Sequence, residues 1–405
     1  MTSGRQRLVC LTTSSACGGA ETSLLTLLAA LRRLEPEWAI AVVAPSDGPF
    51  LERCCDLEIE AVVLPYPPAL QALGETGAIG ADRRTSRGQF IRQGLMTTVT
   101  MPKYVTALRR TLRQLGATVV HSNGVKAHIS AALARPAGVR LVWHLHDYVQ
   151  SRPLTATLLR RLAQRADAIV ANSDSVRQDA SAALGTGREV RRIYNAVDGG
   201  RFSADGPALD LAGLAGLPGD DGLVRIGLVA TFARWKGHET FVEAIGRLHA
   251  RSRVRGYIIG GPVYETAGSQ WSMEELRAAV ARAGLADVIG LTGPIADVPA
   301  AMRRLDVLVH ASTSPEPFGM VIAEGMACGR AVVASAGGGA SELFEDGVNA
   351  RGHRAGDAAD LARVLDALVS SAEARLTLGA AARETARQRF APACMAAAFR
   401  EAYRG

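Results

Sequence analysis

The segment that decides the fold is Ser314-Pro-Glu-Pro-Phe-Gly-Met-Val-Ile-Ala-Glu324-Gly-Met-Ala-Cys-Gly-Arg-Ala-Val-Val-Ala334. The apolar run of residues 307–312 before it predicts a β-strand, and the apolar spacing from about Phe318 onward predicts a helix. A second apolar run at residues 331–334 predicts another strand after that helix. A strand, a helix and a further strand in this order indicate a parallel α/β sheet.

The same alternation of strands and helices runs through the chain in two series, which predicts two doubly wound, Rossmann-like α/β domains. We place the first domain at residues 1–198, a linker rich in Gly, Pro and Asp at 199–222, and the second domain at 223–387. Segment 66–101 has no clear periodicity, and we predict a mobile loop there. The predicted strands are 8–12, 40–44, 61–64, 118–121, 141–144, 169–171, 190–194, 226–230, 257–260, 288–292, 307–310 and 331–334.

Composition and charge narrow the class of protein. The chain has 405 residues, which suffices for two cores, and it contains no run of about 20 apolar residues. It also lacks a long apolar N-terminal segment, so we expect a cytoplasmic protein. The net charge of +7 arises within residues 1–200. Basic residues such as Arg109, Arg160 and Arg165 either attract an anionic membrane surface or acceptor, or form a solvated helix face. We predict no nucleic-acid partner.

Glycine and polar residues cluster directly after predicted strands. In open α/β sheets, ligands bind beyond the carboxyl ends of the strands. The helix that follows Glu316 presents unpaired N–H groups and a positive dipole end, which favour a phosphate. The carboxylates of Glu316 and Glu324 can accept hydrogen bonds from hydroxyls. A diphosphate beside sugar and ribose hydroxyls describes a nucleotide sugar. The four clusters are residues 14–19, residues 144–147, residues 231–236 and Glu316.

At this point the residues resemble a known family. Glu316 and Glu324, within Pro-Glu-Pro-Phe-Gly and Ala-Glu-Gly-Met-Ala-Cys-Gly, are similar to the acidic motif of the retaining glycosyltransferases of family 4. The resemblance spans most of residues 7–390. It implies the GT-B architecture, in which two Rossmann-like domains face a central cleft and a C-terminal helix, here 388–405, completes the first domain.

The resemblance also implies residues that bind the donor. Gly18 and Gly19 resemble the Gly-rich loop beside the donor, although a glycine pair also suits a simple helix start. Lys236, the only lysine in residues 201–405, resembles the diphosphate-binding lysine, and the alternative is an exposed lysine at a helix start. The predicted donor-binding set is Gly18, Gly19, Arg234, Lys236, Glu316, Phe318, Gly319, Met320, Val321 and Glu324.

One position departs from the family pattern. Many members have an arginine five residues before the lysine, and this chain has Thr231 there. Either Arg234 supplies a second cation by another route, or the diphosphate is held mainly by Lys236 and backbone N–H groups. The sequence leaves both alternatives open.

His144 and His146 end a predicted strand, and strand alternation places them on one face. The resemblance implies that His146 lies beside the reacting sugar, whereas a satisfied core histidine is the alternative. The predicted catalytic residues are His146, Glu316 and Lys236. The predicted acceptor-side residues are His121, Asn123, His144 and Asp147. Because the chain has no Asp-x-Asp and these histidines lack a convincing third ligand, we predict neither a metal nor a cofactor.

The function predicted from the sequence is retaining transfer of a sugar from a nucleotide-diphosphate sugar to an acceptor hydroxyl. The acceptor is a glycan, a lipid-linked molecule or a small molecule, and peripheral association with the inner face of the membrane would fit the basic first half. Two alternatives on the same fold are a nucleotide-sugar epimerase or hydrolase, and a non-catalytic nucleotide-sugar-binding protein. The presence of Glu316 and His146 argues against the non-catalytic alternative.

Overall fold

The computed structural model of the chain describes residues 6–67, 87–151, 153–185, 187, 189–262 and 269–405. The chain forms two compact units. Unit 1 combines the chain up to Ala196 with Pro392–Gly405, and unit 2 is Val197–Ala391. No helix in the described ranges is both long enough and apolar enough to span a membrane.

Unit 1 contains a parallel sheet of seven strands in the order β3-β2-β1-β4-β5-β6-β7. The strands are β1 Arg7–Thr12, β2 Ala39–Ala44, β3 Glu60–Val63, β4 Val119–Asn123, β5 Arg140–Leu145, β6 Ala168–Ala171 and β7 Val190–Arg192. The helices are α1 Gly19–Leu34, α2 Pro49–Asp56, α3 Arg87–Gln114, α4 Val125–Ala134, α5 Pro153–Leu162, α6 Asp174–Leu184 and, after the whole of unit 2, α14 Pro392–Arg404.

Helices cover both faces of this sheet, which explains why its inner strands are almost continuously apolar. On one face, Leu24 and Leu28 of α1 and Phe399 of α14 are completely buried. On the other face, Leu108 and Leu112 of α3 are completely buried. The final helix is therefore part of the core of unit 1.

The prediction of a loop at residues 66–101 is wrong for residues 87–101. Helix α3 begins at Arg87 and continues to Gln114, so residues 87–101 are helical. The helix contains Pro102, a residue that usually interrupts helices and that obscured the pattern in the sequence. Residues 68–86 of the predicted loop lie outside the described residues.

Unit 2 contains a second parallel sheet, of six strands in the order β10-β9-β8-β11-β12-β13. The strands are β8 Val224–Val229, β9 Val254–Ile259, β10 Ile289–Gly293, β11 Val307–His310, β12 Ala331–Ala336 and β13 Arg351–Arg354. The helices are α7 Leu211–Ala215, α8 His238–Arg247, α9 Met273–Arg282, α10 Val298–Arg304, α11 Met320–Ala327, α12 Ala358–Ser370 and α13 Ala372–Arg389. The two parallel α/β sheets predicted from the sequence are thus confirmed.

Strand β13 and the segment before β8 differ from the sequence prediction. Strand β13 reads Arg-Gly-His-Arg, has no apolar run and lies at the sheet edge, where backbone pairing to β12 suffices. Residues 199–222, predicted as a linker, belong to unit 2. Within them Leu211 is completely buried, and buried Asp220 accepts a hydrogen bond from Tyr257 Oη at 2.6 Å.

Candidate functional site

The predicted site residues of unit 2 lie on the loops after two neighbouring strands. Strand β8 is followed by a 3-10 turn, Arg234–Lys236, and β11 is followed by the loop that carries Glu316. Because β8 and β11 pair in the sheet, their loops emerge side by side. The backbone N–H of Thr313 donates to the carbonyl oxygen of Trp235 at 2.8 Å and joins the two loops.

Three side chains meet at one carboxylate oxygen of Glu316. Lys236 forms an ion pair with Oε1, the hydroxyl of Ser312 donates to it, and His310 Nε2 lies 3.0 Å away. Glu316 is only 5% exposed. Burial alone would raise the pKa of this carboxyl, but Lys236 and His310 outweigh burial and hold the pKa far below its ordinary value. Glu316 is therefore a carboxylate near neutral pH.

Lys236 is held on two sides. Its ammonium lies 4.1 Å from the centroid of the Trp235 ring, in addition to its pairing with Glu316. The lysine side chain is 18% exposed. Lys236 is thus a largely buried cation beside a carboxylate, and the alternative of an exposed helix-start lysine does not describe it.

The position of Lys236 depends on the glycine that follows it. Gly237 has a φ of +77°, and a Cβ there would lie 1.8 Å from the carbonyl oxygen of Ala311. We expect Gly237→Ala to destabilise the protein by more than the roughly 1–2 kcal/mol of a left-handed residue, because the loop must also move away from Ala311. Urea unfolding would measure the loss.

Gly347→Ala is the matched control for this prediction. Gly347 has a φ of +78°, but no atom lies within 4 Å of the Cβ position. Its variant therefore carries the same backbone strain without the clash. Equal losses of unfolding free energy in the two variants would contradict the argument that Gly237 is needed for close approach to Ala311.

Residues that the sequence analysis did not single out complete this cluster. Ser335 Oγ lies 3.1 Å from His310 Nδ1, and His353 Nε2 lies 3.1 Å from the carbonyl oxygen of His310. The N–H of Gly339 donates to the carbonyl oxygen of Glu316 at 2.7 Å, so the turn of three glycines at residues 337–339 supports the Glu316 loop. The available signal was His310 itself, because a histidine ends an otherwise apolar, buried strand.

The N-terminus of α11 lies directly after the Glu316 loop. It is preceded by the cap residue Gly319, with a φ of +92°, which has no side chain to bond the N–H groups of the first turn, among them those of Met320 and Val321. Phe318 is 2% exposed and its ring contacts that of Phe390, with centroids 6.0 Å apart. Phe318 can therefore offer a ligand only its backbone. An uncapped first turn is suited to an anion.

Glu324 lies in the second turn of α11, half-buried. Burial raises the pKa of its carboxyl to about 7, and Arg201 opposes this shift without cancelling it. Close to neutral pH the group thus exists in both protonation states. A protonated carboxyl can donate one hydrogen bond to a hydroxyl and accept others.

Arg234 belongs to a different set of contacts. Its guanidinium lies 3.8 Å from the centroid of the Trp271 ring and pairs with Glu275 at 3.1 Å. Glu275 belongs to α9, where it also closes a capping box with Ser272. The structure therefore brings Lys236 and Glu316 together, whereas the guanidinium of Arg234 is already engaged by Glu275 and Trp271.

The predicted site residues of unit 1 form a second cluster, around His146. The rings of His144 and His146 lie on one face, as strand alternation predicts, with centroids 3.9 Å apart and planes tilted by 49°. His146 Nε2 lies 2.5 Å from Oδ1 of Asn123, and His146 is half-buried. Burial lowers the pKa of His146 to about 3, so its imidazole is neutral near pH 7. Asp147, the next residue, is exposed.

His121 and His144 are fully buried, so direct contact with an acceptor is not supported for these two predicted residues. His121 Nδ1 lies 2.7 Å from the hydroxyl of Tyr403, and the His144 ring lies 4.8 Å from that of Phe399. Both partners belong to α14. The two histidines therefore form part of the packing between the sheet and the final helix.

Gly18 and Gly19 mark the start of α1, with Gly18 as the capping residue. A Cβ on Gly18 would lie 2.9 Å from Oε2 of Glu21, which is buried in the first turn. Burial raises the pKa of Glu21, and nearby Asp147 contributes in the same direction. Asn123, the partner of His146, also donates to the carbonyl oxygen of Ala20 at 3.4 Å, so the Gly-rich turn belongs to one cluster with His146.

Three of the basic residues in unit 1 donate hydrogen bonds to carbonyl oxygens at the C-termini of helices. Arg109 donates to the carbonyl oxygens of Leu133 and Ala134, and Arg165 donates to that of Ala132, all at the C-terminus of α4. Arg160 donates to the carbonyl of Leu184 at the end of α6. Cations at helix C-termini satisfy free carbonyls and the dipole. Attraction to an anionic surface stays a prediction for the other basic residues.

Comparison with known proteins places these features in a family. A family model described as glycosyltransferase family 4 matches residues 17–201, and one described as glycosyl transferases group 1 matches residues 224–371. The D-inositol 3-phosphate glycosyltransferases of Stackebrandtia nassauensis and Nocardiopsis dassonvillei are 34% and 30% identical over 178 and 264 residues. These matches cover 42% and 57% of this chain but 39% and 58% of the relatives, about half of their lengths.

A solved structure matches over almost the whole chain. Anabaena Alr3699/HepE, in its crystal structure with UDP-glucose, is 26% identical and superposes with a TM-score of 0.79, covering 98% of this chain and 99% of HepE. Two Rossmann-like sheets and the family matches define the class, which is that of glycosyltransferases with GT-B architecture. Within that class, the chain belongs to glycosyltransferase family 4.

Proposed function

We propose that the protein transfers a sugar from a nucleotide-diphosphate sugar to an acceptor hydroxyl, with retention of configuration at the anomeric carbon and without a metal ion. The observation that carries the proposal is the grouping of Lys236, Glu316 and the start of α11, whose cap residue is a glycine, at the carboxyl ends of β8 and β11. A cation and free N–H groups suit a diphosphate, and a buried carboxylate beside them suits sugar hydroxyls.

The roles assigned to individual residues follow from this grouping and from the family motif. Lys236 and the N–H groups of the first turn of α11 stabilise the departing diphosphate, and Glu316 accepts hydrogen bonds from the donor sugar. Glu324 contacts the ribose. In the absence of an evident enzyme nucleophile, the acceptor attacks on the face that the leaving phosphate vacates, and that phosphate assists removal of the acceptor proton.

The metal-independent part of the proposal rests on the sequence and on the nature of these groups. The chain has no Asp-x-Asp, the pattern that metal-dependent glycosyltransferases generally use. Charge on the leaving diphosphate is offset instead by Lys236 and the helix dipole. The acceptor is a hydroxyl of a glycan, of a lipid-linked molecule or of a small molecule.

Ligand-dependent thermal stability tests the donor class. UDP, GDP and ADP, and their glucose and mannose conjugates, are compared at equal concentrations, with and without EDTA. A ligand present at 100 times its Kd adds about 2.7 kcal/mol of stability. We expect one nucleotide series to raise Tm equally in both conditions, and the UDP-glucose complex of HepE makes UDP the first probe. No response to any nucleotide would overturn the donor assignment, and a response abolished by EDTA would overturn metal independence.

Turnover of the donor separates the transferase from its main alternative on the same fold. An epimerase or hydrolase consumes the nucleotide sugar without an acceptor, whereas a transferase needs the acceptor for rapid turnover. NMR of the reaction mixture distinguishes these outcomes and also reports the anomeric configuration of the product. Inversion at the anomeric carbon would contradict the retaining mechanism.

A further inference from the structure

Asn123 lies at the end of β4, 1% exposed, and contacts both His146 and the start of α1. Its Oδ1 lies 2.5 Å from His146 Nε2, and its Nδ2 donates to the carbonyl oxygen of Ala20 at 3.4 Å. Ala20 follows Gly18 and Gly19. The amide thus joins the glycine-rich helix start to the predicted catalytic histidine.

These two contacts determine where the proton of the imidazole lies. A backbone carbonyl can only accept a hydrogen bond, so the amide nitrogen of Asn123 must face Ala20. The amide oxygen, which is also only an acceptor, must then face His146. Nε2 therefore carries a hydrogen, and in the neutral ring Nδ1 carries the lone pair.

The ring of His146 is also held by the neighbouring ring of His144. The ring of His144, whose centroid lies 3.9 Å from that of His146, is completely buried and rests against Phe399 of α14. His121 of β4 packs against the other side of His144, with its ring centroid 5.3 Å from that of His144. Rotation of the His146 ring is thus opposed by close ring contact with His144 and by the Asn123 hydrogen bond at Nε2.

We propose that Asn123 is a positioning residue, which holds His146 as the Nε2–H tautomer and so leaves Nδ1 as the ring nitrogen that can accept a hydrogen bond in the transfer reaction. The role of His146 rests on the proposed function, together with the place beside the reacting sugar that the family resemblance implies for it. The consequence for binding is that Nδ1 receives a hydroxyl hydrogen of the donor sugar or acceptor and donates none.

NMR of protein with 15N-labelled histidine tests the tautomer without any substrate. The chain has eight histidines, and comparison with His146→Gln identifies the signals of His146. We expect the wild-type pattern of Nε2–H with a bare Nδ1 near pH 7, and loss of that single pattern in Asn123→Ala. A wild-type His146 protonated at Nδ1 would overturn the inference, even if Asn123→Ala failed to fold. This result is independent of whether the protein transfers sugar.

The reaction provides the second readout. We expect Asn123→Ala to lower kcat about 10-fold, the effect of one hydrogen bond, with little change in the KM for the donor. Asn123→Asp places a carboxylate at Nε2 and favours the imidazolium, which moves the acidic limb of the kcat profile to higher pH. The other titratable groups of this cluster are the same in all variants. They are the histidines that interact electrostatically with His146, namely His121, His128 and His144, and the carboxylates of Glu21 and Asp147.

Asn195→Ala is the control for loss of a buried asparagine in unit 1. Asn195 is 2% exposed, and its Oδ1 accepts a hydrogen bond from Ser23 at 2.8 Å. Its variant should keep the His146 tautomer and the pH profile. An Asn123→Asp profile identical to that of the wild type would overturn the positioning role. Failure of transfer in the wild type, with the Nε2–H tautomer intact, would instead contradict only the proposed function.

Discussion

Replacement of Glu316 by glutamine is expected to reduce kcat at least about 100-fold, while the Kd for the nucleoside diphosphate changes by less than about threefold. The reason is that Glu316 is a buried carboxylate, held charged by Lys236, that accepts hydrogen bonds from donor-sugar hydroxyls in the proposed mechanism. A hydrogen bond to a charged group contributes about 1.5–3 kcal/mol, and two such bonds account for the loss. Glutamine keeps the shape but not the charge.

Steady-state kinetics and calorimetric titration of the diphosphate measure the two effects separately. Glu345→Gln is the control, since it removes an exposed carboxylate of the same unit. A Glu316→Gln enzyme with full activity would disprove the assigned role. A variant that had instead lost diphosphate binding would mean that Glu316 acts mainly by holding Lys236.

The strands of both sheets could be predicted because helices cover them on both faces, which requires nearly continuous apolar runs. Strand β13 and the first part of α3 escaped prediction for the opposite reason. The sequence of β13 is polar, and its pairing with β12 involves only backbone groups. The pattern around α3 was obscured by Pro102, and its buried face becomes visible only where Leu108 and Leu112 pack against the sheet.

The sequence predicted individual residues of the candidate site, each from its own motif, but not the contacts between them. Glu316 and Lys236 were recognised separately, and their contact arises because β8 and β11 are neighbours in the sheet although 80 residues separate the two side chains. The same holds for Asn123, which ends β4, and His146, which directly follows the adjacent strand β5. Both contacts depend on which strands are neighbours in the sheet, and the local sequence does not reveal that order.

Arg234 is the clearest example of a contact that the sequence could not predict. The sequence offered it as a second cation for the diphosphate, because it lies two residues before Lys236 in place of the arginine that many family members have at the position of Thr231. Its partners Trp271 and Glu275 lie some 40 residues further along the chain. No spacing rule connects such residues, so only the folded structure reveals that the guanidinium is already paired.

Replacement of Lys236 by alanine is expected to weaken diphosphate binding about 10- to 100-fold, the range that corresponds to loss of one charge-assisted hydrogen bond. It should also destabilise the free protein by about 3 kcal/mol, because it leaves the buried Glu316 carboxylate without its cation. Titration calorimetry measures the first effect and urea unfolding the second. The double variant Lys236→Ala/Glu316→Gln should recover most of the stability and none of the binding, which separates the two effects.

Arg234→Ala decides between the two alternatives for the second cation. Since the guanidinium is already paired with Glu275 and stacked on Trp271, we expect the Kd for the diphosphate to rise by less than about threefold. That outcome would leave Lys236 and the N–H groups of α11 as the main diphosphate ligands. A loss as large as that of Lys236→Ala would show that Arg234 exchanges Glu275 for the phosphate, and Glu275→Gln should then tighten binding, because it releases the guanidinium from its competing carboxylate.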